Sequence, residues 1–149
     1  MSAENRTMAI ERAINAPVAV LWAAWTDPAA LPRWWGPDGF SCRTTRIDLR
    51  EGGEWVFDMI APDGTVYPNH HRYTRLVPGQ RIDYTLHWGE DGPLHAEASA
   101  NFEDLGDSTR IALRMTFATA DECAQALAMG APQLGLQTLG KLARQVGAR

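Results

Sequence analysis

The chain has only two cysteines, Cys42 and Cys123, and they stand 81 positions apart. They supply neither a disulfide framework nor a paired-cysteine metal motif, so both are expected as free thiols of a cytoplasmic protein. No apolar run reaches about 18 residues, which argues against a membrane-spanning helix. The opening MSAENRTMAIERAI holds no apolar segment of about 7–15 residues, so no signal peptide is expected. A basic excess is missing too: 14 Lys and Arg face 18 Asp and Glu, giving a formal charge of −4. That balance speaks against a nucleic-acid partner, which calls for a basic stripe. The sequence contains no GxSxG, HExxH, GxxxxGK[ST] or GxGxxG. No cofactor and no metal site are expected.

What the chain does have is rings and turns. Six Trp, four Phe and three Tyr lie among 149 residues, 45% of them hydrophobic. This length fits one domain, taken as 1–149, with rings enough for a core, a pocket or both. Met8, Ile10 and Ile14 alternate with polar neighbours as in a strand. Asn15-Ala16-Pro17 reads as a helix start, with Asn15 as cap, and Val18, Leu21, Trp22 and Trp25 recur at helical spacing. Asp27-Pro28 ends that helix and opens a shorter one reaching Trp34-Trp35.

From Phe40 to Phe117 strands alternate with turns, and each turn fixes a register. Pro62-Asp63-Gly64, as a three-residue loop, pairs Met59 with Tyr67, Phe57 with Asn69 and Trp55 with His71. Pro78-Gly79, as a two-residue turn, pairs Tyr73 with Tyr84 and His71 with Leu86. The loop Gly89–Pro93 pairs Trp88 with Leu94, Leu86 with Ala96 and Tyr84 with Ala98. Gly106-Asp107 pairs Phe102 with Ile111, Ala100 with Leu113 and Ala98 with Met115. Residues directly opposite share a face, so the four hairpins define one covered and one solvated face of an antiparallel meander. The fold class is therefore α+β. Helical pieces over 121–129 and from Pro132 onward supply the cover, with Gly135, Leu139, Leu142 and Val146 on one stripe.

The covered face is not purely apolar. Asn69, His71, Tyr73 and Arg75 follow one another on its side of one strand, with Tyr84 next to Tyr73. The large Tyr84 and Leu86 face the small Ala98 and Ala96. Apolar walls with a few converging polar groups describe a ligand pocket; a satisfied polar core is the plainer alternative. On the solvated face His87 and His95 fall opposite each other, but no clear third ligand joins them. Trp22, Trp25, Trp55 and Trp88 are expected as scaffold, and Trp34-Trp35 at the pocket's entrance.

Ile10-Glu11-Arg12-Ala13-Ile14-Asn15-Ala16-Pro17, Leu21-Trp22-Ala23-Ala24-Trp25-Thr26-Asp27-Pro28 and Arg33-Trp34-Trp35-Gly36-Pro37 together resemble the N-terminal signature of the SRPBCC (START/birch-pollen-allergen-like) superfamily. Asp48-Leu49-Arg50-Glu51-Gly52-Gly53-Glu54-Trp55 is similar to the second motif of one branch, related to the C-terminal domain of the activator of heat-shock protein 90 ATPase. The likeness runs on through Tyr73, Pro78 and Arg81 to the helical tail. It implies a helix-grip fold, a curved antiparallel sheet around a long C-terminal helix with an internal cavity. It implies hydrophobic-ligand binding, polyketide-cyclase-like chemistry or chaperone interaction as the classes of function. The branch commonly carries Gly-Trp where this chain has Leu134-Gly135, so a missing indole should deepen the cavity. His71 and Arg75 stand where the branch has Gly and Glu, and Arg75 hints at an acidic or carbonyl-bearing ligand.

The leading expectation is binding of a small hydrophobic molecule without catalysis. Trp35, Phe40, Phe57 and Phe117 would wall the cavity, with Leu86, Ala98, Met115 and Gly135. Asn69, His71, Tyr73, Arg75 and Tyr84 would orient the ligand. The alternative is a cyclase- or lyase-type enzyme with His71 as base and Tyr73 or Tyr84 stabilising an enolate. The third is a module that contacts a chaperone. A homodimer is compatible with each.

Overall fold

The computed structural model describes residues 3–148, the first two of these as backbone alone. Met1, Ser2 and Arg149, at the ends of the expected domain, lie outside the described residues. A 3-10 turn over Ala3–Arg6 leads into β1 (Thr7–Ile14), followed by α1 (Val18–Thr26) and α2 (Leu31–Trp34). Six strands come next: β2 (Ser41–Ile47), β3 (Glu54–Ile60), β4 (Val66–Val77), β5 (Arg81–Trp88), β6 (Leu94–Asp104) and β7 (Thr109–Phe117). The chain closes with α3 (Ala120–Ala128) and α4 (Ala131–Gln145). The seven strands form one antiparallel sheet in the order β1-β7-β6-β5-β4-β3-β2. The first strand pairs with the last, so α1 and α2 carry the chain across to the opposite edge. With α4 gripped on one face, this is the helix-grip architecture. None of the described helices is long and apolar enough to cross a membrane.

Local chemistry explains the helix ends around α3 and α4. Thr119 caps α3, its hydroxyl accepting from Glu122 N. Gly130 between α3 and α4 sits at φ +81, where a Cβ would be strained. Pro132 then occupies the first turn of α4, where the missing N–H costs nothing. The start of α1 differs from expectation: the cap position belongs to extended Pro17, not Asn15, and Pro17 makes no side-chain cap hydrogen bond.

Expected pairs are found in all four hairpins. Met59–Tyr67, Phe57–Asn69 and Trp55–His71 pair as expected, as do Tyr73–Tyr84, His71–Leu86, Leu86–Ala96, Tyr84–Ala98 and the three β6–β7 pairs. Two bulges break the pattern. The β4–β5 turn holds three residues, since Val77 pairs with Arg81, and the extra residue is absorbed between Tyr73 and Arg75. Arg75 therefore pairs with Asp83 and is exposed, while Leu76 takes the inward position opposite Ile82. Between Leu86 and His87 a second irregularity pairs His87 with Leu94. His87 and His95 are consequently not opposite each other. Trp88, expected as scaffold, is 54% exposed, and Leu94 is exposed with it.

Ile14, Leu21, Trp25, Leu31, Trp34, Ile82, Ile111, Leu139 and Leu142 are sealed between the sheet's inner face and the helices. Two of the buried indoles are satisfied: Trp34 Nε1 donates to Ala24 O at 3.0 Å and Trp55 Nε1 to Thr44 Oγ1 at 3.1 Å. Trp25 packs edge-on against Trp34, Trp35 and Phe102, and Trp22 joins it on Phe102. Of these rings, Trp22, Trp25, Trp34 and Phe102 fill the interior near the β6–β7 turn. Toward the other end of the sheet α3 and α4 present mostly small side chains, Ala126, Ala131, Gly135 and Thr138, beside Leu134.

Candidate functional site

At that second end lies a cavity of about 220 Å³ between the sheet and the α3–α4 pair. It occupies the end where β4 and β6 begin and β3, β5 and β7 finish. Trp35, Asn69, His71, Tyr84 and Leu86 line it, as do Ala98, Met115, Phe117 and Gly135. Each of these nine stands among the expected ligand-binding residues.

Four expected residues are elsewhere. Phe57 lies behind His71, stacked on Trp55 with ring centroids 3.6 Å apart. Tyr73 is buried one pair further along the sheet, 6.0 Å from the Tyr84 ring. Phe40 is half-buried and leans on Tyr67. Arg75 is on the opposite face because of the β4–β5 bulge. The walls also include residues that sequence reasoning missed. Met8 and Ile10 come from β1, whose pairing with β7 is not announced by any turn. Thr138 and Ala131 sit one turn either side of Gly135 on α4, so the helical stripe itself was their signal. His95 is swung inward by the β5–β6 irregularity and packs between Trp88 at 4.2 Å and Phe117 at 5.1 Å.

His71 is the chemical centre of the cavity. It is 2% exposed and ringed by Trp35, Trp55, Phe57 and Tyr84, with centroids 5.0–5.5 Å away. Among the described residues no side chain or backbone group hydrogen-bonds its ring, and the same holds for the hydroxyl of Tyr84, itself only 4% exposed. Burial, with the neighbouring His70 and His87, pushes the His71 pKa down to about 3, so the ring is neutral at pH 7. Burial also raises the Tyr84 hydroxyl well above its ordinary value, keeping it protonated. A neutral imidazole offers one donor and one acceptor, and a phenol can do either. Asn69, at the start of β4, already donates from Nδ2 to Tyr67 O at 2.8 Å.

At the cavity's outer end a second pair is unsatisfied. His95 Nδ1 and Glu122 Oε2 are both buried, lack hydrogen-bond partners and stand 4.0 Å apart, too far for a hydrogen bond. Desolvation lowers the His95 pKa more than Glu122 raises it. The outer-face histidines are spoken for: His70 meets Glu54 at 2.8 Å and accepts from Asp91 N at 3.1 Å, while His87 bonds Thr85 and Gly92 O.

Gly135 is where α4 meets β1 most closely. A Cβ there would come within 2.6 Å of Ile10 Cδ1. The small residue lets α4 close on β1, with Ile10 packed directly against its Cα.

A family model for Activator of Hsp90 ATPase homolog 1-like proteins matches residues 15–146. The chain belongs to this family. Among solved structures it is similar to a protein from Nitrosomonas europaea, with 23% identity, TM-score 0.86 and 95% of this chain covering 94% of that one. A protein from Arthrobacter aurescens is similar at 22% identity and TM-score 0.86, covering 98% of this chain and 88% of its own. A family protein from Silicibacter pomeroyi shares 26% identity at TM-score 0.73, over 94% and 96% of the two chains. No curated protein gives a significant sequence match. Family membership accounts for the grip of sheet on helix; the lining of this cavity has to be read from this chain's own residues.

Proposed function

We propose that the protein, working as a single domain over 1–149, binds a small, largely apolar molecule in the cavity between the sheet and α4. The observation that carries this reading is the pair His71 and Tyr84, both almost fully buried, both facing the cavity and both without a protein partner. Their polar atoms open onto the cavity, where a hydrogen-bonding ligand supplies the partner that the protein does not. The apolar walls add to this: burying about 200 Å² of apolar ligand surface contributes on the order of 5 kcal/mol before the cost of association.

General-base catalysis by His71 draws little support from the site. A ring whose pKa sits at about 3 is a weak base at neutral pH, far from the matched value that proton abstraction favours. A binding role uses the same ring as a neutral hydrogen-bond partner. Native mass spectrometry of freshly purified protein tests the reading and counts the subunits. A retained small-molecule adduct that disappears in a cavity-filling Ala98→Leu variant is the expected result. No adduct, together with no uptake of any apolar probe, would sink it.

A further inference from the structure

We propose that the ligand is a neutral aromatic compound of one or two rings, bearing a hydroxyl or carbonyl that His71 and Tyr84 hold between them. This rests on the cavity reading above and narrows it to a chemical class. Three observations lead to it.

The first is size. An apolar cavity of about 150 Å³ holds benzene, and sites for drug-sized ligands begin near 300 Å³. At about 220 Å³ this cavity takes a fused pair of rings, or one ring with short substituents.

The second is charge. His71 and His95 are held neutral and Tyr84 is held protonated, so none of these lining groups brings a counter-charge. Arg75, the cation expected inside, stands exposed on the opposite face, in backbone register with Asp83. Arg114 borders the cavity between Leu113 and Met115, but its register places it beside Ser99 on the outer face, where it is exposed. Lys141 donates to Pro37 O and Phe40 O and is not a lining residue. The carboxylate closest to His95 is that of Glu122, which would repel an anion. An ionised ligand would lose its water and gain no partner of opposite sign.

The third is the lining itself. Met8, Met59 and Met115 bring three thioethers to one small space, with Trp35 and Phe117. Sulfur favours ring edges, and aromatic walls favour offset or edge-on rings. An aliphatic chain would forgo both preferences. A ligand hydroxyl can donate to the bare imidazole nitrogen and accept from the Tyr84 hydroxyl; a carbonyl can accept from the imidazole N–H and from Tyr84.

The test is calorimetric titration of the full chain at pH 7 with 2-naphthol, naphthalene and 2-naphthoate. We expect 2-naphthol to bind about tenfold tighter than naphthalene, the value of one net hydrogen bond, and about a hundredfold tighter than 2-naphthoate. Tyr84→Phe keeps the ring and removes the hydroxyl, so it should bring 2-naphthol to within about threefold of naphthalene and leave naphthalene unchanged. Naphthoate binding as well as naphthol would overturn the neutral class, with the cavity reading intact. Equal affinity for naphthol and naphthalene would overturn the role of the polar pair. If none of the three binds, or if Ala98→Leu leaves naphthol binding untouched, the cavity reading itself fails.

Discussion

Ile111 and Leu113 stand two residues apart on the same face of β7. Ile111 is sealed, whereas Leu113 borders the cavity. Ala100 and Ala98 repeat the contrast on β6: both are buried, but Ala100 is sealed in the core and Ala98 lines the cavity. The two ends of one sheet face thus use similar residues to opposite effect. What differs is the opposing layer. Trp22, Trp25 and Trp34 come down from α1 and α2 at one end, while α3 and the start of α4 present Ala126, Ala131 and Gly135 at the other. The sheet is a common wall, and the helices decide where it is packed and where it is hollow.

The sharpest way to break this comparison is truncation on β7. Ile111→Ala should cost about 3–4 kcal/mol, because its sealed neighbours cannot collapse into the gap. Leu113→Ala should cost less than about 2 kcal/mol, because one side of Leu113 already lacks contacts. Urea unfolding of the two variants decides the matter; equal losses would mean that the two ends are equally packed.

A smaller effect comes from pH. The folded-state pKa of His71 is depressed to about 3, so the unfolded chain binds the extra proton between there and about 6.5. The stability linked to His71 is therefore fully present above pH 6.5 and is lost as pH falls toward 3. Between pH 7 and 5 this amounts to about 2 kcal/mol. His71→Phe should flatten that part of the acid arm of a stability-versus-pH curve. An unchanged slope would show that the ring is already solvated or partnered. The same substitution at pH 7 should be near neutral, since it removes a buried polar group that no protein atom satisfies.

Adding volume should sharpen the contrast from the other side. Ala100→Leu forces three extra carbons into a filled core and should destabilise by about 1–3 kcal/mol. Ala98→Leu has space to enter and should shift the melting temperature little while reducing probe uptake. A severe loss for Ala98→Leu would contradict the volume assigned to the cavity.

The location of the hollow end was partly legible in the sequence. The Gly89–Pro93 loop places Tyr84 against Ala98 and Leu86 against Ala96, and small against large on a covered face can mark space. The helix stripe through Gly135 pointed to the same end. Two kinds of information were missing. A bulge leaves no composition signal of its own: the extra residue in the β4–β5 turn put Arg75 outside, and the β5–β6 irregularity brought His95 in and left Trp88 exposed. Non-local pairing leaves none either. β1 reaches β7 from about a hundred residues away, so Met8 and Ile10 could be recognised as inward-facing but not assigned to the cavity wall. The first error had the larger chemical consequence, because a buried cation and a neutral cavity select different ligands.

The mildest test concerns Gly135, where the two ends meet through one helix. Its backbone is helical, so Ala is compatible there and gains about 1 kcal/mol of helix propensity over Gly. The new Cβ, however, would lie 2.6 Å from Ile10 Cδ1. That atom is the free end of a flexible side chain that also lines the cavity, so Ile10 can rotate toward the empty side at a cost of about 0.5–1.5 kcal/mol. The two effects nearly cancel, and Gly135→Ala should change stability by less than about 1 kcal/mol. Its effect on binding should be larger, since the displaced Ile10 takes volume from the ligand. In a fully packed interior the same substitution would have nowhere to send Ile10 and would destabilise with no gain. A near-neutral melting temperature combined with weakened 2-naphthol binding therefore distinguishes a hollow end from a packed one at the scale of a single methyl group.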